Sequence, residues 1–250
     1  MPGGASAVIG LNQIEVQGPF NPAGLSSTPA RAKIFTCYPN VAAEEEACAR
    51  EIIGRNARLA YRGTATEHDV ERLTRIYAQS SAAEGFEMGV RHALTAIIAS
   101  PKFFYREESL PENAVAGEIY PVTDLELASR LSFFLWSSIP DAELLDLAEA
   151  GRLHDSAVLA QQVDRMLRDP RATTLASNFA SQWLNLAKLD EIDPDPDLFR
   201  DVGSRVRNMF RKEIELLAGD VFLGNKPVTE LMTADYTYLN ESLALHYGIH

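Results

Sequence analysis

The sequence is poor in the residues that usually announce chemistry. Of its 250 residues only two are cysteine and five are histidine. Cys37 and Cys48 have no second Cys or His pair beside them at zinc-ligand spacing, so no closed zinc site is spelled out. There is no G-x-S-x-G elbow, no H-E-x-x-H, no G-x-x-x-x-G-K-[ST], no G-x-G-x-x-G after a strand and no C-x-x-C-H, which leaves catalysis without a motif to carry it. Long apolar runs are missing as well. The best candidates, around Ile97 and Phe133, break at polar residues far short of the roughly 20 positions that cross a bilayer, so no membrane span is expected. Met1-Pro-Gly-Gly-Ala-Ser has neither the basic start nor the apolar stretch of a secretory leader. Positive charge is scarce: 23 Lys+Arg against 35 Asp+Glu give a net charge of -12. Such a field repels phosphate backbones and anionic lipid, so nucleic acid is not an expected partner.

What is present is apolar material, 46% of the chain, arranged mostly at helical spacing. Residues 1–31 are the exception, rich in Gly, Pro, Ser and Asn. There Ile14 and Val16 alternate with Glu15 and Gln17, which predicts a strand and then a loop, the tail of a preceding β module. Ala32–Cys37 reads as extended. From Ala42, Cys48, Ile52 and Leu59 recur on one helical stripe, with Glu44, Glu45 and Glu46 at the positive end of the helix dipole. Thr66 caps a second helix carrying Val70, Leu73, Ile76 and Tyr77, and a third carries Phe86, Val90, Leu94 and Ile97. Pro101 stops that helix, and Pro111 and Gly117 mark a linker. A capping box, Thr123 with Glu126, opens the second half ahead of Leu127, Leu131, Phe134 and Leu135. Further helices are expected after Asp141, after Asp155, and after Asp169-Pro-Arg171, the last with Leu175, Phe179, Trp183 and Leu186. The longest is expected from Asp197, through Phe199 and Val202 to Val221. The fold class is therefore mainly α: two consecutive bundle-like helical units with a short β segment at the N-terminus. The expected division is 1–31 module tail and loop, 32–108 small helical domain, 109–122 linker and 123–250 larger helical domain. The partnerless strand and the end at Tyr247-Gly-Ile-His250 both suggest a piece of a longer protein.

The polar residues read mostly as structure. His246 and His250 stand four apart, but Gly248 interrupts the helix between them, so surface histidines are expected there. His68, His92 and His154 lack neighbours at ligand spacing. Asp193, Asp195 and Asp197 lack the central Gly and distal Glu of a calcium loop, and Asp197 reads as the cap of the long helix. The pairs Asp124/Glu126 and Glu213/Glu215 read as solvated faces, and Trp136 and Trp183 as core. The cysteines admit two readings. They are separate buried thiols, or a disulfide tying the end of the extended segment to the next helix. The second would contribute about 3 kcal/mol in the loop-entropy account and imply an oxidising compartment.

Arg31-Ala-Lys-Ile-Phe-Thr-Cys37, Leu127-Ala-Ser-Arg-Leu-Ser-Phe-Phe-Leu-Trp-Ser-Ser-Ile-Pro-Asp141, Asn178-Phe-Ala-Ser-Gln-Trp-Leu184, Ala234-Asp-Tyr-Thr-Tyr-Leu-Asn-Glu241 and His246-Tyr-Gly248 occur in this order. Together they resemble the tandem uncharacterised helical domains of planctomycete-type exported multidomain proteins that also carry c-type cytochrome modules. The resemblance implies pairing of Cys37 with Cys48 and a periplasmic, cell-surface or extracellular location. It implies haem c only in flanking domains, since this stretch lacks the attachment motif; no cofactor is expected here, and the residue spacings above give no metal site. It implies carbohydrate contact through a neighbouring module, and other domains of the same chain as partners. Tyr38-Pro39-Asn40 departs from the basic residue expected after the first cysteine.

These features support three functional readings. One is a non-catalytic helical scaffold or interaction region that joins carbohydrate-binding and electron-transfer modules. The second is an oxidoreductase or hydrolase acting on complex polysaccharide, with Asp235, Asn240, Glu241 and Arg130 as candidate catalytic residues and the redox cofactor supplied by flanking domains. The third is a protein-interaction surface for a sulfatase or other partner.

Overall fold

The computed structural model describes residues 15, 28–106, 108, 110–111, 114–192, 194–195, 197–199 and 202–249. Among them the protein is helical and has no strand. The segment expected as a strand lies outside the described residues apart from Glu15, and so do Asp193 and His250.

Helix α1 (Pro29–Ile34) occupies part of the stretch expected to be extended. Pro29 fixes a helical φ at the first turn, and Thr28 Oγ1 accepts the Arg31 N–H at 3.1 Å, so local capping outweighs the β-branched character of Ile34. A 3-10 turn (Ala42–Glu44) then leads into α2 (Glu45–Ala60). Cys37 and Cys48 form a disulfide, Cα atoms 5.8 Å apart, which fastens the chain after α1 to the first turn of α2. The Arg31 guanidinium pairs with Glu87, tying α1 to a later helix as well.

Helices α3 (Glu67–Glu84) and α4 (Phe86–Ile98) pack antiparallel on α2, and the short α5 (Pro101–Phe104) folds back under them. Thr66 and Asp69 close the capping box of α3. The first core is Ile52, Ile53, Leu73, Tyr77, Val90 and Ile97 with their alanine neighbours, set by helical spacing. At Gly89 the two helices approach so closely that a Cβ would lie 2.7 Å from the Tyr77 ring.

The second core gathers α6 (Asp124–Trp136), α7 (Ala142–Glu149) and α8 (Ser156–Arg168), capped by Thr123, Asp141 and Asp155. Trp136 is buried within it; its indole N–H donates to the Met166 carbonyl at 2.9 Å and the Arg171 guanidinium lies over its ring. Phe134, expected on the core stripe, instead faces solvent.

The helix expected after Asp169 is broken. It runs as a 3-10 turn (Pro170–Ala172), a π turn (Leu175–Phe179), the single turn α9 (Ala180–Trp183) and a second 3-10 stretch (Leu186–Asp190). One inserted residue in a π turn rotates the next turns of the chain by about 100°, so the apolar stripe does not stay on one face. Ala176, Ala180 and Leu186 take the buried positions, while Trp183 is 56% exposed and stacks on Phe179 with ring centroids 6.0 Å apart. This corrects the expectation of a core role for Trp183. Helix α10 (Ser204–Leu223) begins at Gly203, later than expected, because the Asp195 carboxylate takes the Asp197 N–H at 2.8 Å and holds a separate turn. Helices α11 (Glu230–Thr233) and α12 (Glu241–His246) close the described fold. Among the described residues no helix is long and apolar enough to cross a membrane.

Candidate functional site

The end of α2 builds one wall of a large cleft. Arg62 ends the helix in a left-handed conformation, φ +54°, and Gly63 comes next at φ +83°. That turn throws the Arg62 side chain inward. Its guanidinium donates to the carbonyls of Ala60, Lys102, Phe103 and Tyr105, at 3.2, 2.8, 3.3 and 2.7 Å. It thereby satisfies the exposed carbonyl end of α5. Burial lowers the Arg62 pKa, and the nearby Arg106 charge adds to this. Lys102 reaches away from α5 to Asp69, Nζ to Oδ2 at 2.6 Å. Burial pushes the Asp69 carboxyl up, but Lys102 and the Thr66 backbone and hydroxyl outweigh it and hold the group at about 2.

The opposite wall is the start of α6. Gly63 abuts it so tightly that a Cβ would sit 2.6 Å from Leu125 Cδ2. Arg58, one turn earlier on α2, spans to α7: Nε lies 2.8 Å from Glu149 Oε1 and one terminal nitrogen 2.6 Å from Asp146 Oδ1. Between the walls lies a cleft of about 870 Å³. Among the described residues Arg62, Lys102, Arg106 and Arg130 line it against Glu108 and Glu126, with Thr64, Tyr105, Thr123 and Ser129 contributing hydroxyls. Glu108 grips Arg130 at 2.8 and 2.6 Å, which lowers its pKa and raises that of the arginine. Arg106 lies over the Phe133 ring, 4.6 Å from the centroid.

The candidate catalytic residues do not form one constellation. Arg130 belongs to this cleft, whereas Asn240 lines a second one of about 690 Å³ beside α10. Asn240 accepts the Leu243 N–H at 2.8 Å as the cap of α12, Glu241 sits in the first turn, and Asp235 is an exposed residue between α11 and α12. Near the second cleft Glu213 accepts from Thr237 at 2.6 Å and Tyr247 at 2.7 Å, and burial with that carboxylate pushes Tyr247 up to about 12. Glu213 and Asp124 are therefore not solvated faces. Asp124 accepts the Leu153 N–H at 2.7 Å and pairs with His154, holding the turn between α7 and α8. Among the described residues no group of three or more His, Cys, Asp or Glu side chains could hold a metal ion.

Sequence reasoning passed over Arg62, Arg106 and Ser129. Their only signal was a concentration of basic residues, Lys102, Arg106 and Arg130, on both sides of the linker in an acidic chain.

Residues 48–108 match the family described as Protein of unknown function (DUF1595). Neither the curated proteins nor the solved structures contain a match to this chain. Residues 122–249, more than half of the 250, match the family described as Protein of unknown function (DUF1592), and the chain belongs to that family.

Proposed function

We propose that this chain is a helical scaffold and interaction region of an exported, cytochrome c-associated multidomain protein, serving polysaccharide processing by holding neighbouring modules in a fixed relation. The observation that carries the reading is the joint at the end of α2. Arg58 is paired with two carboxylates of α7, and Gly63 is seated against Leu125. Two helical units, 32–108 and 123–250 with 109–122 between them, would be fastened there at a fixed angle. The disulfide is compatible with an oxidising compartment. Haem c, on this reading, belongs to flanking domains and carbohydrate contact to a neighbouring module.

The test is amide hydrogen exchange across a urea series. A fixed joint makes the amides of α2–α4 and of α6–α8 lose protection together. Independent loss in the two sets removes the scaffold reading. Turnover of a polysaccharide or a redox mediator by the folded chain, abolished in R130A, replaces it with the enzyme reading.

A further inference from the structure

We propose that the cleft between α2 and α6 is a binding site for a small oxyanion, the carboxylate, sulfate or phosphate group of an organic ligand, received by Arg106 and Ser129.

The first argument is charge. In a chain of net charge -12, this cleft sets Arg62, Lys102, Arg106 and Arg130 against Glu108 and Glu126 among the described residues, a larger cationic excess than that of the cleft beside α10, where Arg205 and Lys212 face Glu213. A low-dielectric wall beside such a patch focuses the field into the cleft and attracts anions against the repulsion of the whole. The second is the set of commitments. Arg62 spends its donors on four carbonyls, Lys102 is held by Asp69 and Arg130 by Glu108. Neither Arg62 nor Arg106 has a carboxylate within ion-pair distance among the described residues, but Arg62 is occupied by its carbonyls, whereas the Arg106 guanidinium rests on Phe133. Glu108 feels the Arg106 charge, but its carboxylate is hydrogen-bonded to Arg130. Arg106 is also close enough to Arg62 to depress that group's pKa. An oxyanion beside Arg106 relieves that repulsion and accepts charge-assisted hydrogen bonds.

The third argument is independent of charge. Ser129 lines the cleft and is only 9% exposed, which sets a hydroxyl on the cleft wall within the fold rather than on a mobile surface side chain. A hydroxyl so placed adds a neutral donor beside the arginine. Glu108, gripping Arg130 at the same cleft, acts as an internal anion and lowers the affinity for an external one.

The probes are inorganic phosphate, inorganic sulfate, glucose 6-phosphate, glucuronate and uncharged glucose, titrated calorimetrically into the whole chain at matched ionic strength. Saturable binding of at least one anionic probe, and none of glucose, is expected. Binding of the organic anions alone assigns the site to a ligand body as well as its charged group; equal binding of the inorganic ions assigns it to the oxyanion itself. R106Q should weaken binding about tenfold and S129A about threefold, the sizes of a lost charge-assisted and a lost neutral hydrogen bond. E108Q should tighten it several-fold. K188Q, at an exposed lysine away from the cleft, should change nothing. No saturable binding by any anion, or equal weakening by K188Q and R106Q in variants with unchanged thermal unfolding, overturns the proposal.

Discussion

Arg58 Nε donates to Glu149 Oε1 at 2.8 Å across 91 residues of sequence, and the same guanidinium reaches Asp146. Both side chains are partly in water, so screening keeps the direct contribution small. Replacing Arg58 with Ala should cost about 0.5–1 kcal/mol in urea unfolding. A double-mutant cycle with E149A should return a positive coupling that falls as salt is raised. A coupling of zero at low salt would show that the pair does not fasten α2 to α7.

The disulfide closes a short loop, with a sequence separation of 11. Reduction, or replacement of both Cys37 and Cys48 by Ser, should lower stability by about 2–3 kcal/mol. The loss should appear first as faster exchange of the amides around α1 and the first turn of α2. Unchanged unfolding with and without reductant would contradict this.

Asp69 titrates at about 2 in the folded chain, below its ordinary 3.8. A folded pKa below the unfolded one adds stability that is complete above the unfolded value and is lost as pH falls from about 4 toward 2. The contribution is about 2 kcal/mol. D69N should therefore be less stable than the parent at pH 7 and should flatten the acid limb of the stability profile between pH 4 and 2. An acid limb of unchanged slope in D69N would mean that other carboxylates carry it.

Gly63 combines φ +83° with Leu125 Cδ2 where a Cβ would go. Alanine there meets both a left-handed backbone and a clash, so G63A should destabilise by about 1–3 kcal/mol. Gly85 has a similar φ, +85°, but open space around it. G85A should cost only the backbone part, about 1 kcal/mol. Equal losses in the two variants would show that the Leu125 contact is unimportant.

The helix starts were readable because their signals are local. Thr66, Thr123, Asp141 and Asp155 each precede an apolar stripe, and each caps the helix expected after it. The break after Asp169 was not readable. Leu175, Phe179, Trp183 and Leu186 keep an apolar spacing, and no Pro or Gly marks the inserted residue of the π turn. The late start of α10 was hidden for a related reason, since Asp195 competes with Asp197 as the local cap. The cleft was out of reach altogether. Arg62, Arg106 and Ser129 sit on separate elements, and their walls meet through long-range contacts such as Gly63 with Leu125 and Arg58 with Glu149.

The rotation introduced by the π turn also divides the chain optically. Its two tryptophans occupy opposite environments, Trp136 2% exposed beneath an arginine and Trp183 56% exposed on a phenylalanine. Acrylamide should reach the second indole and not the first. Emission that is quenched then reports on the surface around α9, and emission that resists quenching reports on the core of α6–α8. A single cuvette thus carries two local thermometers, with no label attached.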